Sequence, residues 1–201
     1  MIIIPIFIIT IIVIFFLLNL LTGGNFKIGV AGSCSMYYQG NLFSNFDDWW
    51  ENHGEKYSKI FLIDKEKFQS YKFKNGINKG DIILFYNTNP KNLKVGDVII
   101  YNKDKSQILI SHRIIKIYFL GDKRMFSTMG DNNLNMEEFE NEIKESQIIR
   151  KAVFKIAPYL EWIRIIFDEG SLPEVEKGFC EEMKPPLKTP TLKNLCSLKI
   201  L

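Results

Sequence analysis

Three short stretches of this 201-residue chain combine residue types that could carry out nucleophilic catalysis. The first is Ser33-Cys34-Ser35-Met36, which follows a short extended run. Strand alternation points Ser33 and Ser35 to one side and Cys34 to the other. Two hydroxyls on one face can supply a nucleophile and an oxyanion donor. The plainer reading is a small-residue turn, since turns collect Ser and Gly. The second stretch is the apolar run around Ser111-His112-Arg113. An imidazole is unexpected there. It is either a hydrogen-bonded core histidine or a general base working near neutral pH, which a serine hydroxyl needs to become nucleophilic. The other histidine, His53, lies in a polar stretch and reads as solvated. The third stretch is Gly130-Asp131-Asn132-Asn133. These are tight-turn residues, but Asp131 can also orient a histidine and stabilise its imidazolium.

Other chemistries find little support. Cys34, Cys180 and Cys196 show no metal-ligand spacing, and an odd cysteine count predicts no disulfide framework. No glycine-rich phosphate loop occurs, so neither a metal nor a cofactor is expected. A Cys34 nucleophile is disfavoured because alternation turns its thiol away from His112. The formal charge of +3 is too small to argue for nucleic acid.

The elements that must position these residues divide the chain. Residues 1 to 21, MIIIPIFIITIIVIFFLLNLL, contain no charged side chain, so all 26 basic and 23 acidic residues lie beyond them. Twenty helical residues span ~30 Å, the thickness of a bilayer core. The run is too long and lacks the basic start of a cleaved secretory signal, so it reads as a retained transmembrane anchor. Charge does not reveal its orientation. Residues 25 to 167 read as one mostly antiparallel β domain, with strands from Phe26, Asp81, Asp97, Gln107, Met125 and Gln147 bounded by Gly-Asp turns. Lys79-Gly80-Asp81-Ile82-Ile83 and Val95-Gly96-Asp97-Val98-Ile99 look like a local duplication. Residues 41 to 79 read as a partly helical insertion, with Ser44 as N-cap and an aromatic face of Trp49, Trp50 and Tyr57. Packing on the domain is favoured over lying at a membrane, because Asp47, Asp48 and Glu51 oppose an anionic surface. Residues 137 to 145 are expected to be helical. The apolar stretch 158 to 167 is too short to span. Residues 168 to 201 read as a weakly ordered tail.

An apolar anchor, then Ser33-Cys34-Ser35-Met36, Gly96-Asp97-Val98-Ile99-Ile100-Tyr101, Ser111-His112-Arg113-Ile114 and Gly130-Asp131-Asn132-Asn133, resembles the type I signal peptidases. The likeness is to their archaeal and endoplasmic-reticulum branch, where histidine replaces the bacterial lysine. It covers residues 1 to 37 and 79 to 167. It implies a signal-peptidase-like fold and a membrane-bound serine endopeptidase that removes signal peptides from exported preproteins. By motif, Ser35, before Met36, becomes the nucleophile, Ser33 an oxyanion-hole hydroxyl and His112 the base. Asp131 matches one family acid and Glu137 stands where a second, usually Asp, is found. Either Glu137 reaches His112 despite its extra methylene, or Asp131 orients it alone.

The resemblance also implies a single-pass protein of the cell membrane with its catalytic domain on the extracytoplasmic side. Its partners would be preproteins, the lipid bilayer and the protein-export machinery. Cys34 stands where Gly is usual, Tyr38 where Pro is usual, and the insertion is long. Tyr38 and Glu137 motivate the rival reading of an inactive anchored β protein that binds or assembles on the same scaffold.

Overall fold

The computed structural model describes residues 9, 10, 13, 16, 17, 20, 23–38, 46–103, 108–157, 180, 181 and 183. Seven strands form one antiparallel sheet. They are β1 (Phe26–Val30), β2 (Ile82–Tyr86), β3 (Val98–Asn102), β4 (Leu109–Leu120), β5 (Lys123–Met129), β6 (Ile143–Lys144) and β7 (Ile148–Ala157). Their order is β1-β2-β7-β3-β4-β5-β6, so the last strand inserts between the two halves of the duplicated motif.

That duplication is visible in three dimensions. Gly80 and Gly96 both take positive φ, 86° and 96°, which a glycine adopts without strain. The aspartates that follow act alike. Asp81 accepts from the Asn78 N–H at 2.8 Å, and Asp97 from the Lys94 N–H at 2.9 Å. Each then pairs with a lysine of β7, Asp81 with Lys155 and Asp97 with Lys151. One β7 strand thus closes both turns.

The pairing of β3 with β4 sets Val98 opposite Arg113 and Ile99 opposite His112. Adjacent strand residues leave on opposite faces, so His112 and Arg113 serve different sides of the sheet. On one side Ile99, Tyr101, Ile114, Phe126 and Ile143 form a core. Separate clusters form around Met36, Ile83, Phe85 and Val98, and around the insertion.

The insertion contributes helix α1 (Phe46–Ile60) and helix α2 (Lys65–Gln69). In α1, Phe46, Trp49, His53 and Tyr57 are buried at helical spacing. Trp49 stacks on Tyr38 with ring centroids 4.1 Å apart and on His53 at 5.1 Å. His53 is therefore buried, not solvated; polar neighbours along the chain concealed its place on the aromatic face. The Ser44 cap falls outside the described residues.

The helix expected over residues 137 to 145 is absent. A single 3-10 turn, Glu138–Glu140, leads into β6, which pairs with Met125 and Phe126. Ile143 is fully buried, and the Asn141 carbonyl accepts from the Tyr118 and Ser127 hydroxyls, which takes it out of any helical ladder. Strand pairing here outweighs local propensity.

The expected membrane helix falls largely outside the described residues. Ile9, Thr10, Val13, Phe16, Leu17 and Leu20 within it are helical and exposed, and among the described residues no helix is long and apolar enough to cross a membrane. The 158 to 167 stretch also lies outside the described residues, as does the expected tail apart from Cys180, Glu181 and Met183. Because Trp49 is fully buried among six rings, Trp49→Ala should destabilise the protein by about 3–5 kcal/mol in urea unfolding, whereas exposed Leu62→Ala should leave it near wild type.

Candidate active site

His112 is nearly buried on β4, and its Nδ1 is hydrogen-bonded to Glu140 Oε1. Glu140 is itself fully buried, and its other oxygen accepts the Glu137 backbone N–H at 2.7 Å. The carboxylate is therefore held at both ends. With Nδ1 engaged, Nε2 is the ring nitrogen left to act on another group. Neither acid anticipated from the motif order occupies this place. Glu137 contributes its backbone, while the residue is exposed and lines an open cleft that Lys116 and Tyr118 also line. The 3-10 turn brings Glu140 inward instead. Sequence reasoning missed it because a helix was expected there; a third acid within ten residues of Asp131 was the available signal.

Asp131 belongs to a second, buried constellation. Arg113 Nε donates to Asp131 Oδ1 at 2.9 Å, and Nη2 donates to Oδ2 at 2.6 Å. Tyr38 and Tyr57 add hydroxyl bonds at 3.1 and 3.0 Å. Burial raises both phenols well above the ordinary tyrosine range, and the Asp131 charge adds to this, so both remain hydrogen-bond donors. Burial opposes the charge on Arg113, but Asp131 more than offsets it and raises the guanidinium above its usual value. The remaining N–H groups reach the carbonyls of Lys72, Phe73 and Gly96, each at 2.9 Å. Arg113 also lies 4.8 Å from the Phe68 ring centroid. Asp131 is thus a structural counter-ion, and four donors hold its carboxylate. Tyr38, which departs from the family pattern, is one of them.

The Ser35 turn rests on the loop that carries Asp131. The Asn132 N–H donates to the Ser35 carbonyl at 2.8 Å, and the Asp131 N–H faces the Met36 sulfur at 3.4 Å. A Cβ at Gly130 would come within 2.7 Å of the Ser35 carbonyl, so only glycine permits this approach. The Ser35 hydroxyl is partly exposed and lies 3.2 Å from the Ser33 hydroxyl. Ser35 is linked to His112 through one chain of contacts: its turn packs on residues 130 to 132, Asp131 pairs with Arg113, and Arg113 adjoins His112.

Cys34 is disulfide-bonded to Cys180, 146 residues away. The odd cysteine count misled here, because pairing depends on the returning segment and not on spacing. Asn132 holds that segment: its amide donates to the Cys34 and Glu181 carbonyls at 3.0 Å, and its oxygen accepts the Met183 N–H at 2.9 Å. The bonded sulfur of Cys34 is no thiolate, which removes it as a nucleophile.

Ser33 and Met36 border an apolar groove of about 460 Å³, with Val30, Ile83, Ile100 and Ile110 among its walls. It lies beside β1, which pairs with β2 as the terminal strand of the sheet. Among the described residues no group of three His, Cys, Asp or Glu side chains could hold a metal ion.

No family model matches the chain. It is similar to proteins named signal peptidase complex catalytic subunit SEC11. That of Metarhizium robertsii is 30% identical over 97 residues, 45% of this chain and 56% of that protein. That of Candida albicans strain WO-1 is 27% identical over 98 residues, covering 46% and 58%. That of Lachancea thermotolerans is 40% identical over 57 residues, covering 27% and 33%. The matches span about half the length of the first two relatives. Over these stretches the chain is thus similar to signal peptidase catalytic subunits.

The two constellations should separate in unfolding experiments. Arg113→Met strands the buried Asp131 carboxylate and should cost about 3–5 kcal/mol in urea unfolding, while exposed Glu137→Gln should stay within about 0.5 kcal/mol of wild type.

Proposed function

We propose that the chain is a membrane-anchored serine endopeptidase that cleaves signal peptides from exported preproteins, with Ser35 as nucleophile and His112 as general base. One observation carries the reading: a nearly buried histidine, oriented by a buried glutamate, is the chain neighbour of Arg113, which pairs with Asp131 in the loop that holds the Ser35 turn. Glu140 replaces both Asp131 and Glu137 as the orienting acid, and Asp131 keeps the loop in place. The likeness to SEC11 proteins supports the same reaction class.

In the reaction, His112 Nε2 takes the Ser35 proton as the hydroxyl oxygen attacks the scissile carbonyl. Glu140 fixes the ring through Nδ1 and stabilises the imidazolium that forms. The Ser33 hydroxyl, 3.2 Å from Ser35 Oγ, and the Ser35 backbone N–H receive the oxyanion. The imidazolium returns its proton to the leaving amine. That amine is the new N-terminus of the mature protein, which departs; water, deprotonated by the same histidine, then attacks the acyl-serine, and the imidazolium returns the proton to Ser35 Oγ as the signal peptide leaves with a free carboxylate.

The extended substrate adds along the β1 edge, with alternate small side chains entering the apolar groove beside Ser33 and Met36. Residues 1 to 21 anchor the domain, residues 25 to 167 form the catalytic unit, and residues 168 to 201 are its tail. The anchor holds the site near substrates tethered by their own signal helices. The Cys34–Cys180 bond supports placing the domain on the extracytoplasmic side, since disulfides persist in oxidising compartments. The bilayer and the protein-export machinery complete its surroundings.

Ser35→Ala should abolish preprotein cleavage in membranes without unfolding the protein; retained activity would refute the assignment. Glu140→Gln should lower kcat on the order of a hundred- to ten-thousand-fold, with Glu137→Gln near wild type. A serine-directed probe that fails to label Ser35 would favour the inactive-scaffold reading instead.

A further inference from the structure

We propose that the helical insertion is part of the active site, and that Lys56 is its positioning residue, clamping the loop that holds the Ser35 turn. The inference rests on the peptidase reading and deepens it.

Lys56 projects from α1 toward the turn Gly130–Asn133, which is closed by the Asn133 N–H donating to the Gly130 carbonyl at 3.0 Å. Its ammonium donates to the Asp131 carbonyl at 3.1 Å and to the Asn133 carbonyl. Between these two carbonyls lies the Asn132 N–H, whose acceptor is the Ser35 carbonyl. One cation therefore holds the carbonyl of the very peptide whose N–H supports the Ser35 turn, and a second carbonyl two residues on. These bonds help offset the cost of partly burying a lysine ammonium, which is unfavourable without partners.

The groups that face Lys56 are few. The turn after β5 contributes the Asp131 carboxylate and the 3-10 turn contributes Glu140, the acid on His112. From its own helix the Tyr57 ring lies 5.2 Å from the ammonium, while Glu55 and Lys59 pair with one another at 2.5 Å. Arg113 on β4 is committed to Asp131. Lys56 is thus a positive charge facing two buried carboxylates, one structural and one on the proposed base. Burial lowers its pKa to about 8, although both carboxylates pull it up. The clamp is fully charged below that pH and loses its proton as pH rises through it.

The test is preprotein cleavage by the full chain in membranes from about pH 6 to about 10. Wild type should lose kcat on the alkaline side with a midpoint near 8. Lys56→Gln, whose amide can still donate to the carbonyls without charge, should lose that limb. Lys56→Met should lower kcat on the order of tenfold or more with KM little changed, because the Ser35 turn is no longer held. Exposed Lys59→Met should behave as wild type. The proposal is overturned if wild type has no limb near 8, if Lys56→Gln keeps it, or if Lys56→Met retains full kcat. Should Lys56→Met fail to fold, the wild-type and Lys56→Gln profiles decide. An inactive Ser35→Ala beside an unaffected Lys56 series refutes this inference alone, whereas an active Ser35→Ala refutes the peptidase reading itself.

Discussion

The buried pair of Arg113 and Asp131 is the constraint to which the other parts of the site are fitted. Both side chains are fully excluded from solvent. Such a pair is tolerated only when every charged atom finds a partner, because stripping water from two ions costs several kcal/mol each. Here the partners come from distant parts of the chain. Lys72 and Phe73 belong to the insertion, Gly96 to the turn before β3, Tyr38 to the segment after Ser35 and Tyr57 to α1. Satisfying one ion pair therefore fixes the insertion, the sheet and the Ser35 turn relative to one another. Phe73 takes a left-handed φ of 56° while offering its carbonyl to Arg113, a conformation that costs a non-glycine residue about 1–2 kcal/mol.

This arrangement gives the histidine and the arginine separate acids, where Asp131 or Glu137 was expected to orient the histidine. Strand alternation sends His112 and Arg113 to opposite faces, so one carboxylate cannot serve both equally. Asp131 satisfies the arginine and Glu140 the histidine. The longer glutamate side chain suits an approach from a 3-10 turn, and its second oxygen is occupied by the Glu137 N–H. The acid on the histidine is thus held by main chain, while the acid on the arginine is held by side chains.

Much of the framework was legible in the sequence. β2 and β3 announced themselves through Gly-Asp turns, and the equivalence of Asp81 and Asp97 extends to their capping bonds and lysine partners. His112 stood out because an imidazole is unexpected in an apolar strand, whereas Ser33, Ser35 and Asp131 looked like ordinary turn residues until the order of the motifs singled them out. What escaped notice depended on tertiary contact. Glu140 looked like one more acid in a charged helix, because nothing local shows that Ile143 pairs as a strand or that Asn141 gives its carbonyl to two hydroxyls. His53 read as polar because its stack on Trp49 lies across a helical turn. Tyr38 read as a departure because its partner, Asp131, is 93 residues away.

The Cys34–Cys180 bond has a consequence for the order of biosynthesis. Its two sulfurs are 146 residues apart, and the first adjoins Ser35. The turn bearing Ser35 is made early, yet it cannot be covalently locked until residue 180 has been synthesised and has met an oxidant. A ribosome-bound chain with its sheet already paired would still carry that turn on hydrogen bonds alone. Closure of the bond is thereby tied to completion of the segment that Asn132 grips, and to oxidation of the two thiols.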